Sequence, residues 1–303
     1  MIRCAPHTTG GDQGEIRSPP AGVLMRRRAL AHVGLLFGGF IVLIFACVAL
    51  FAPLIAPYDP FDQDLSRRLV DPVWGEGGTW AYVLGTDGLG RDTLSRLIHG
   101  ARVSLVVGFG AACIAMVCGS MIGIVGGYFG GRIDAVVIYL INVKLAMPGL
   151  VIALALVSLI GGSITALVFI LGFLTWDRFA VVTRSATQQL RSEEFVAAAQ
   201  ATGAGVPRII FGELLPNVIN QIIVVASLEI AVVILIEAAL SFLGLGVRPP
   251  TPSWGLMVAE ARGFMFFKPH LVAFPGLAIF LLVMAINMAG DGLRDVTAPE
   301  GVR

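Results

Sequence analysis

Long apolar segments alternate with shorter polar ones along most of this chain. A helix needs about 20 residues to cross a bilayer, and each apolar segment is close to that length or longer. The segments lie at 32–52, 103–128, 135–159, 164–182, 218–245 and 271–289. None of them shows the strict alternation of an outer-membrane barrel strand. The pattern therefore predicts an all-α fold, a polytopic membrane bundle of six transmembrane helices with both termini on one side.

The polar segments predict how the rest of the chain is organised. The N-terminal tail is rich in glycine, proline and threonine, so we expect it to be disordered. In chain order, the predicted regions are a tail at 1–28, a first transmembrane helix at 29–52, a periplasmic loop with an interfacial helix at 53–102, a transmembrane core at 103–292 that includes a cytoplasmic loop at 183–216, and a tail at 293–303.

Positive charge sets the expected orientation. Arg26, Arg27 and Arg28 directly precede the first span, and clusters of this kind stay in the cytoplasm. Over the whole chain the bias toward that side is mild. Both termini and the loop at 183–216 are therefore expected to be cytoplasmic.

Composition excludes several classes of protein. Of the 303 residues, 56% are apolar and 14% are charged, and the mean hydropathy is +0.86, far from the averages of soluble domains. A net charge of +1 gives no electrostatic basis for binding nucleic acid. The only lysines, Lys144 and Lys268, do not follow the glycine of a phosphate-binding loop, so ATP would have to bind another chain. Without metal-ligand spacings or nucleophile motifs, we predict no enzyme, no cofactor and no metal site on this chain.

The polar segment between the fourth and fifth spans is too elaborate for a simple turn. Ser192 is a good helix N-cap, and Glu193 and Glu194 would occupy the first turn, where the helix dipole favours carboxylates. Gly203 suits the left-handed position that ends a helix, and Pro207 suits the first turn of the next helix. The residues predict a helix-glycine-helix elbow at the membrane face, which would suit docking of a partner. An ordinary amphipathic re-entrant loop is the alternative.

This elbow resembles the EAA loop of ABC-importer permeases. In that loop Glu-Ala-Ala precedes a glycine and, further on, Leu-Pro; Ala197 stands here where the family usually has Glu, and Glu213 stands where a generic pattern has Ile. The resemblance implies that the elbow couples to a separate ATPase subunit. The residues assigned to that coupling are Glu194, Ala197, Ala198, Ala199, Gly203, Pro207, Arg208, Leu215 and Pro216.

Two further segments carry distinctive patterns. Residues 84–105 form a glycine-rich turn followed by a short amphipathic helix at the membrane surface, with Arg91, Arg96 and Arg102 on its polar side. Glycines and prolines at 244–255 end the fifth span in a rigid outer loop. Both segments resemble the second permease subunit of dipeptide, oligopeptide and nickel importers, through Gly-Thr-Asp-x-x-Gly-Arg-Asp at 85–92 and Glu-Ala-Ala-Leu-Ser-Phe-Leu-Gly-Leu-Gly at 237–246.

That resemblance implies a set of partners and a location. They are a homologous second permease subunit, two cytoplasmic ATPase subunits that carry the ATP and magnesium, an external solute-binding protein and membrane lipid, all at a bacterial inner membrane. It also implies a peptide importer that works by alternating access. Trp74, Trp80 and Tyr82 lie in the first outer loop, where aromatic side chains suit either the binding protein or the membrane surface.

Small and ionisable residues within the spans add two expectations. Gly119, Gly123 and Gly127 form a stripe that predicts close helix packing. Lys144 and Glu229 lie ~18 and ~20 Å from the cytoplasmic ends of their spans, because a helix rises 1.5 Å per residue. We hypothesise that they pair across the third and fifth spans; alternatively, each faces a water-filled pathway on its own. Asn142 would lie nearby, and Glu237 is the other candidate for a pair or pathway.

Two rival functions remain open at this point. A stand-alone secondary transporter or channel would use ionisable groups within the membrane as a relay, and Lys144, Glu229 and Glu237 could serve it. A structural membrane subunit without a pathway is the other rival.

Overall fold

The computed structural model describes residues 32–297, and the tail predicted at 1–28 lies outside them. Within the described residues the regular structure is helical, joined by turns and one isolated antiparallel bridge between Thr86 and Asp92. The helices are α1 (Val33–Leu50), α2 (Ala52–Ile55), α3 (Thr93–Phe129), α4 (Gly131–Leu145), α5 (Gly149–Ile160), α6 (Ile164–Leu174), α7 (Trp176–Leu190), α8 (Glu194–Ala201), α9 (Val206–Arg208), α10 (Leu215–Phe242), α11 (Trp254–Ala261) and α12 (His270–Thr297).

Six spans are present if one broken span is counted. Among residues 32–297, five helical stretches are long and apolar enough to cross a membrane, namely α1, α3, α6 with α7, α9 through α10, and α12. Helices α4 and α5 meet the same test only together, and they bend by 81° at the break that contains Pro148. The third span, predicted as one helix, is therefore interrupted. A proline makes the helical conformation unfavourable for the residue before it, which explains where the break falls.

Helix α3 begins ten residues earlier than the second predicted span. Asp92 caps it by accepting a hydrogen bond from the Ser95 amide, 2.8 Å away, so the helix starts at Thr93. The separate interfacial helix predicted before residue 103 is therefore wrong, because that segment is the first part of α3. At 37 residues, α3 is ~55 Å long and extends well beyond a ~30 Å hydrocarbon core.

The glycine stripe allows α3 and α7 to touch backbone to backbone. A methyl group on Gly119 would lie 2.2 Å from the Trp176 carbonyl oxygen, and one on Gly123 would lie 2.1 Å from the Thr183 hydroxyl. Gly127 is similarly close to Arg184 and Thr187. The predicted packing role is confirmed, and α3 becomes the central helix against which α6, α7 and α10 pack.

The first and last helices pack along each other. Gly38 of α1 leaves no room for a side chain, since a methyl group there would lie 2.5 Å from the Ala285 carbonyl oxygen of α12. At the same end of this pair, His32 Nε2 lies 3.1 Å from the Asp295 carboxylate. The start of α1 and the end of α12 therefore lie at one face of the bundle.

Candidate functional site

The elbow between α7 and α10 is built as a helix, a turn and a second short helix. Helix α7 continues to Leu190, eight residues beyond the predicted end of its span. The Ser192 hydroxyl then donates to the Gln189 carbonyl, 2.8 Å away, and Glu193 takes the N-cap position of α8 without a side-chain capping bond. The predicted N-cap at Ser192 is therefore wrong, because this hydroxyl closes the preceding helix.

The turn at Gly203 has the left-handed geometry that the sequence predicts. Its φ is +81°, its amide donates to the Gln200 carbonyl at 2.9 Å, and the Ala204 amide donates to the Ala199 carbonyl at 3.0 Å. Together these two bonds form a Schellman motif, which satisfies the last carbonyls of α8. Pro207 lies in the first turn of α9, so its predicted position is also confirmed.

One buried residue fixes α8 to the bundle. Val196 is fully buried against Ile124 of α3 and against Ile209, Ile210 and Leu214. The opposite face of α8 is largely exposed and borders an open concavity of about 430 Å³. Of the predicted coupling residues, Ala199 and Leu215 are half-buried, and the exposed ones are Glu194, Ala197, Ala198, Gly203, Pro207, Arg208 and Pro216.

A π-helical turn, Ile209–Leu214, joins the elbow to α10. Pro216 has no amide hydrogen and its ring would clash with the Gly212 carbonyl in a regular α-helix, so the wider turn relieves that contact. The Asn217 side chain donates to the Glu213 carbonyl at 2.6 Å. Sequence reasoning missed this turn, although the Leu-Pro pair at its end is the signal that could have indicated it.

Four charged residues meet in the middle of the bundle, where α4 breaks and where α6 gives way to α7. Lys144 Nζ lies 2.7 Å from Asp177 Oδ1, and Arg178 Nη1 lies 2.8 Å from Glu229 Oε1. The predicted direct pair between Lys144 and Glu229 is therefore wrong, since each has a different partner. Asp177 and Arg178 were missed because the predicted span ended near 182, which put Arg178 close to the membrane face.

All four charges, Lys144, Asp177, Arg178 and Glu229, lie at a similar level. Each is about 12 to 14 residues from the elbow-side end of its helix, or ~20 Å at 1.5 Å per residue. They border a cavity of about 270 Å³ between α4, α5, α7 and α10. We name this group the mid-span cluster. The equal depths predicted for Lys144 and Glu229 hold, although the pairing does not.

In the mid-span cluster the cations are more exposed than the carboxylates. The exposed fractions of the side chains are 57% for Arg178 and 18% for Lys144, against 4% for Asp177 and 1% for Glu229. Each carboxylate is thus more buried than the cation with which it is paired. The charged wall of the cavity therefore contains two cations and two carboxylates, of which the cations are the more exposed, and the rest of its lining is largely apolar.

The two other predicted intramembrane residues do not belong to this cluster. Asn142 is exposed and does not border the cavity. Glu237 is fully buried and accepts a hydrogen bond of 2.7 Å from Ser241, whose hydroxyl also accepts from the Val247 amide at 3.2 Å. Glu237 therefore helps to hold the outer loop after α10 rather than facing a pathway.

A second set of four charges lies at the opposite face from the elbow. Arg91 Nε donates to Asp87 at 2.7 Å, Arg91 Nη2 donates to Glu260 at 2.9 Å, and Arg96 Nη1 donates to Glu260 at 2.7 Å and also to Asp87. We name these four residues the outer staple, because they join the first outer loop to α11. Arg91 and Arg96 are buried, contrary to the surface role predicted for them.

The outer loop packs more tightly than its composition predicts. Lys268 Nζ lies 2.6 Å from Asp71, which ties the loop to the segment before α12. Tyr82 is buried and stacks on Tyr58, so its predicted role as an exposed contact is wrong. Trp74 and Trp80 remain exposed and available for a partner or for lipid headgroups.

Comparisons with protein families give two matches on this chain. Residues 119–300 match the family described as binding-protein-dependent transport system inner membrane component. Residues 22–72 match the N-terminal TM domain of oligopeptide transport permease C. The two matches together cover the first span and the bundle from residue 119 onward.

Individual relatives agree with these matches. The chain is 40% identical over 267 residues to the dipeptide transport system permease protein DppC of Haemophilus influenzae, covering 88% of this chain and 90% of that protein. It is 42% identical to the di/tripeptide permease DppC of Pseudomonas aeruginosa, with 90% of each chain covered. It is also 38% identical to the glutathione permease GsiD of Pectobacterium atrosepticum, covering 91% and 89%.

A solved structure shares the fold. The chain aligns with the inward-facing MetNI methionine ABC transporter with a TM-score of 0.56 and 17% identity, covering 67% of this chain and 97% of that one. At that identity the likeness concerns the helical architecture alone.

Proposed function

Since this chain belongs to the family of binding-protein-dependent transport system inner membrane components, and is thus a multi-pass transport permease subunit, we propose that it forms half of the pathway of an ATP-driven importer for small peptides. The other half would come from a homologous permease in a bacterial inner membrane. Two cytoplasmic ATPase subunits would carry ATP and magnesium, and a solute-binding protein would deliver the peptide. Relatives named for dipeptides, tripeptides and glutathione support the substrate class.

The elbow is the observation that carries this proposal. It offers an exposed face on a rigid base, because Val196 anchors α8 and the Schellman motif at Gly203 fixes the turn. In our proposal this face docks on an ATPase through residues between Glu194 and Arg208. The elbow lies at the same face as the contact between His32 and Asp295, so we assign that face to the cytoplasm and the outer staple to the periplasm.

The connections of the elbow support a mechanism of alternating access. A displacement of α8 would pass through the π-helical turn into α10, which carries Glu229. It would also pass into α7, which carries Asp177 and Arg178. Both helices border the cavity of the mid-span cluster, so movement of the elbow would open or close that cavity. The coupling needs two arrangements of the bundle that ATP binding on the partner favours differently.

The mid-span cluster is also the observation that favours the rival function. A transporter driven by an ion gradient would use paired charges at this depth as a relay. Each charge here has an opposite partner at ion-pair distance, and the chain also carries an elbow for which such a transporter has no use. We therefore retain the ATP-driven function as the proposal.

The test is uptake by the reconstituted complex. The chain would be co-expressed with the neighbouring permease, ATPase and binding-protein genes, purified, and placed in liposomes whose lumen holds ATP. We expect uptake of a labelled dipeptide that requires lumenal ATP, requires the binding protein, and continues after an ionophore collapses the ion gradients. Uptake by this chain without ATP, stopped by the ionophore, would instead establish the rival.

A further inference from the structure

An exposed arginine in the middle of a span needs an explanation. Arg178 lies about half-way along the stretch formed by α6 and α7, and more than half of its side chain is exposed. A guanidinium at this depth is too costly to face lipid, so its open side must face water or protein. It also borders the cavity of the mid-span cluster, so part of its surface faces that cavity.

Most of the hydrogen-bonding capacity of Arg178 is unused within the described chain. A guanidinium has five N–H donors, and the ion pair that Arg178 forms in the described chain is with one carboxylate, Glu229, whose Oε1 lies 2.8 Å from Nη1. The carboxylate of Glu229 is paired with this guanidinium and offsets its charge. Lys144, held in the same way by Asp177, borders the same cavity. The arrangement orients two cations toward one small space.

We propose that Arg178 and Lys144 form a binding site in the pathway for the C-terminal carboxylate of a peptide in transit; the inference rests on the peptide-import function proposed above. Arginine matches a carboxylate with paired, parallel hydrogen bonds. The terminal carboxylate is shared by linear peptides of any sequence, so a site that reads it tolerates varied side chains. The apolar walls, which include Met147, Leu150, Val232 and Ile236, would accommodate those side chains.

The buried carboxylates keep this binding weak. Glu229 and Asp177 compete with the peptide for the two cations, and a pathway site must release what it binds. The cavity, about 270 Å³, is slightly smaller than a usual ligand pocket of ~300–1,000 Å³, so it suits the end of a peptide rather than a whole one. Because the site straddles the break between α4 and α5 and the step from α6 to α7, a movement of these helices would change its geometry and release the peptide.

The test uses peptide added from the lumenal side, where the binding protein plays no part. Liposomes containing the whole complex, with the ATPases inside, are loaded with ATP and with either Ala-Phe or its C-terminal amide at the same millimolar concentration. Uptake of labelled dipeptide from outside is then measured. We expect the free acid to inhibit roughly tenfold more strongly than the amide, which corresponds to the loss of about one charge-assisted hydrogen bond.

Variants assign that preference to residues. The double variant Arg178→Gln with Glu229→Gln removes the ion pair without leaving a buried charge. Because Lys144 remains, we expect the free acid to inhibit this variant only slightly more strongly than the amide does. Arg178→Lys keeps the positive charge but cannot donate two parallel hydrogen bonds to a carboxylate, so we expect an intermediate preference for the free acid. The matched control is Arg184→Gln with Asp134→Asn, which removes an ion pair between α7 and α4. Neither residue lines the cavity, so this variant should keep the preference for the free acid.

Each outcome has one meaning. Three results would overturn the carboxylate site while leaving the importer in place: equal inhibition by acid and amide in the wild-type complex, an undiminished preference in the double variant, or a preference that the control pair loses as well. If the wild-type complex shows no ATP-driven uptake of peptide, the proposed function itself fails, and this inference fails with it.

Discussion

The outer staple and the mid-span cluster contain the same inventory of two cations and two carboxylates, but they are built in opposite ways. In the outer staple both arginines are buried, and each of them contacts both Asp87 and Glu260. In the mid-span cluster the carboxylates are buried, each cation has one partner, and Arg178 is open on its far side. Buried arginines that each contact two carboxylates hold two segments together, whereas an exposed arginine with one partner has N–H donors available for a ligand.

The largest effect should follow from breaking the outer staple. Arg96→Gln leaves Asp87 and Glu260 with one cation instead of two. Because Arg91 still pairs with both partly exposed carboxylates, we expect a cost below the ~3–5 kcal/mol of an unpaired buried charge. We expect a marked loss of thermal stability in the purified complex, measured by intrinsic fluorescence. Arg102→Gln is the matched control, since Arg102 lies on the same helix but is exposed, and it should change stability by less than about 0.5 kcal/mol. Equal melting curves for the two variants would contradict the structural role of the staple.

The pairing within the mid-span cluster can be measured by double-mutant cycles. Lys144→Met and Asp177→Asn should each destabilise the assembled complex, and the double variant should recover much of the loss, with a coupling of about 0.5–3 kcal/mol. A parallel cycle of Lys144→Met with Glu229→Gln should be closer to additive, because these two residues have other partners. Stronger coupling in the second cycle would restore the pair that the sequence suggested.

Substitutions at Gly203 test whether a rigid elbow is needed for transport. Gly203→Val should strain the left-handed turn by on the order of 1–2 kcal/mol, and it is the backbone rather than space that opposes it, since no atom lies within 4 Å of the added carbon. We expect a strong loss of uptake and of the coupling of ATP hydrolysis, with membrane insertion unchanged. Gly203→Asn should retain more activity, because Asn tolerates this conformation.

A second control lies two residues along the chain. Gly205 has an ordinary φ of −67°, so Gly205→Ala should be close to neutral. Normal uptake by the Gly203→Val variant would count heavily against a rigid coupling elbow.

The smallest functional effect is expected from a topology test that places the two faces. Single cysteines replace the exposed Glu76 in the outer loop and the exposed Ser192 at the elbow, in a chain whose native cysteines are substituted. In intact cells with a permeable outer membrane, an impermeant thiol reagent should label the first cysteine alone. Inverted vesicles should show the reverse pattern. Labelling of the elbow from outside would reverse the assigned orientation.

Local rules explain what could be predicted from the sequence. The apolar segments identified the spans because burial in lipid demands long apolar helices. Gly203 and Pro207 identified the elbow because each has a backbone preference that neighbours rarely override. The depths of Lys144 and Glu229 followed from helical rise alone.

The missed features depend on how helices are rotated and where they stop. Helix α7 continues through polar residues to Leu190, so hydropathy ended its span too early and hid Asp177 and Arg178. Equal depth could not reveal which side chains face each other. The burial of Arg96 depends on α11, more than 150 residues away, which supplies Glu260. Partners across such distances have no local signature in a single sequence.

The π-helical turn sets the direction in which α10 points its side chains. One residue advances a helix by ~100° around its axis, so a turn that is wider by one residue rotates everything after it relative to the elbow. In an unbroken α-helix of the same sequence, Leu228 would take the direction that Glu229 now has. The turn thus determines that Glu229, and not its apolar neighbour, faces the mid-span cavity.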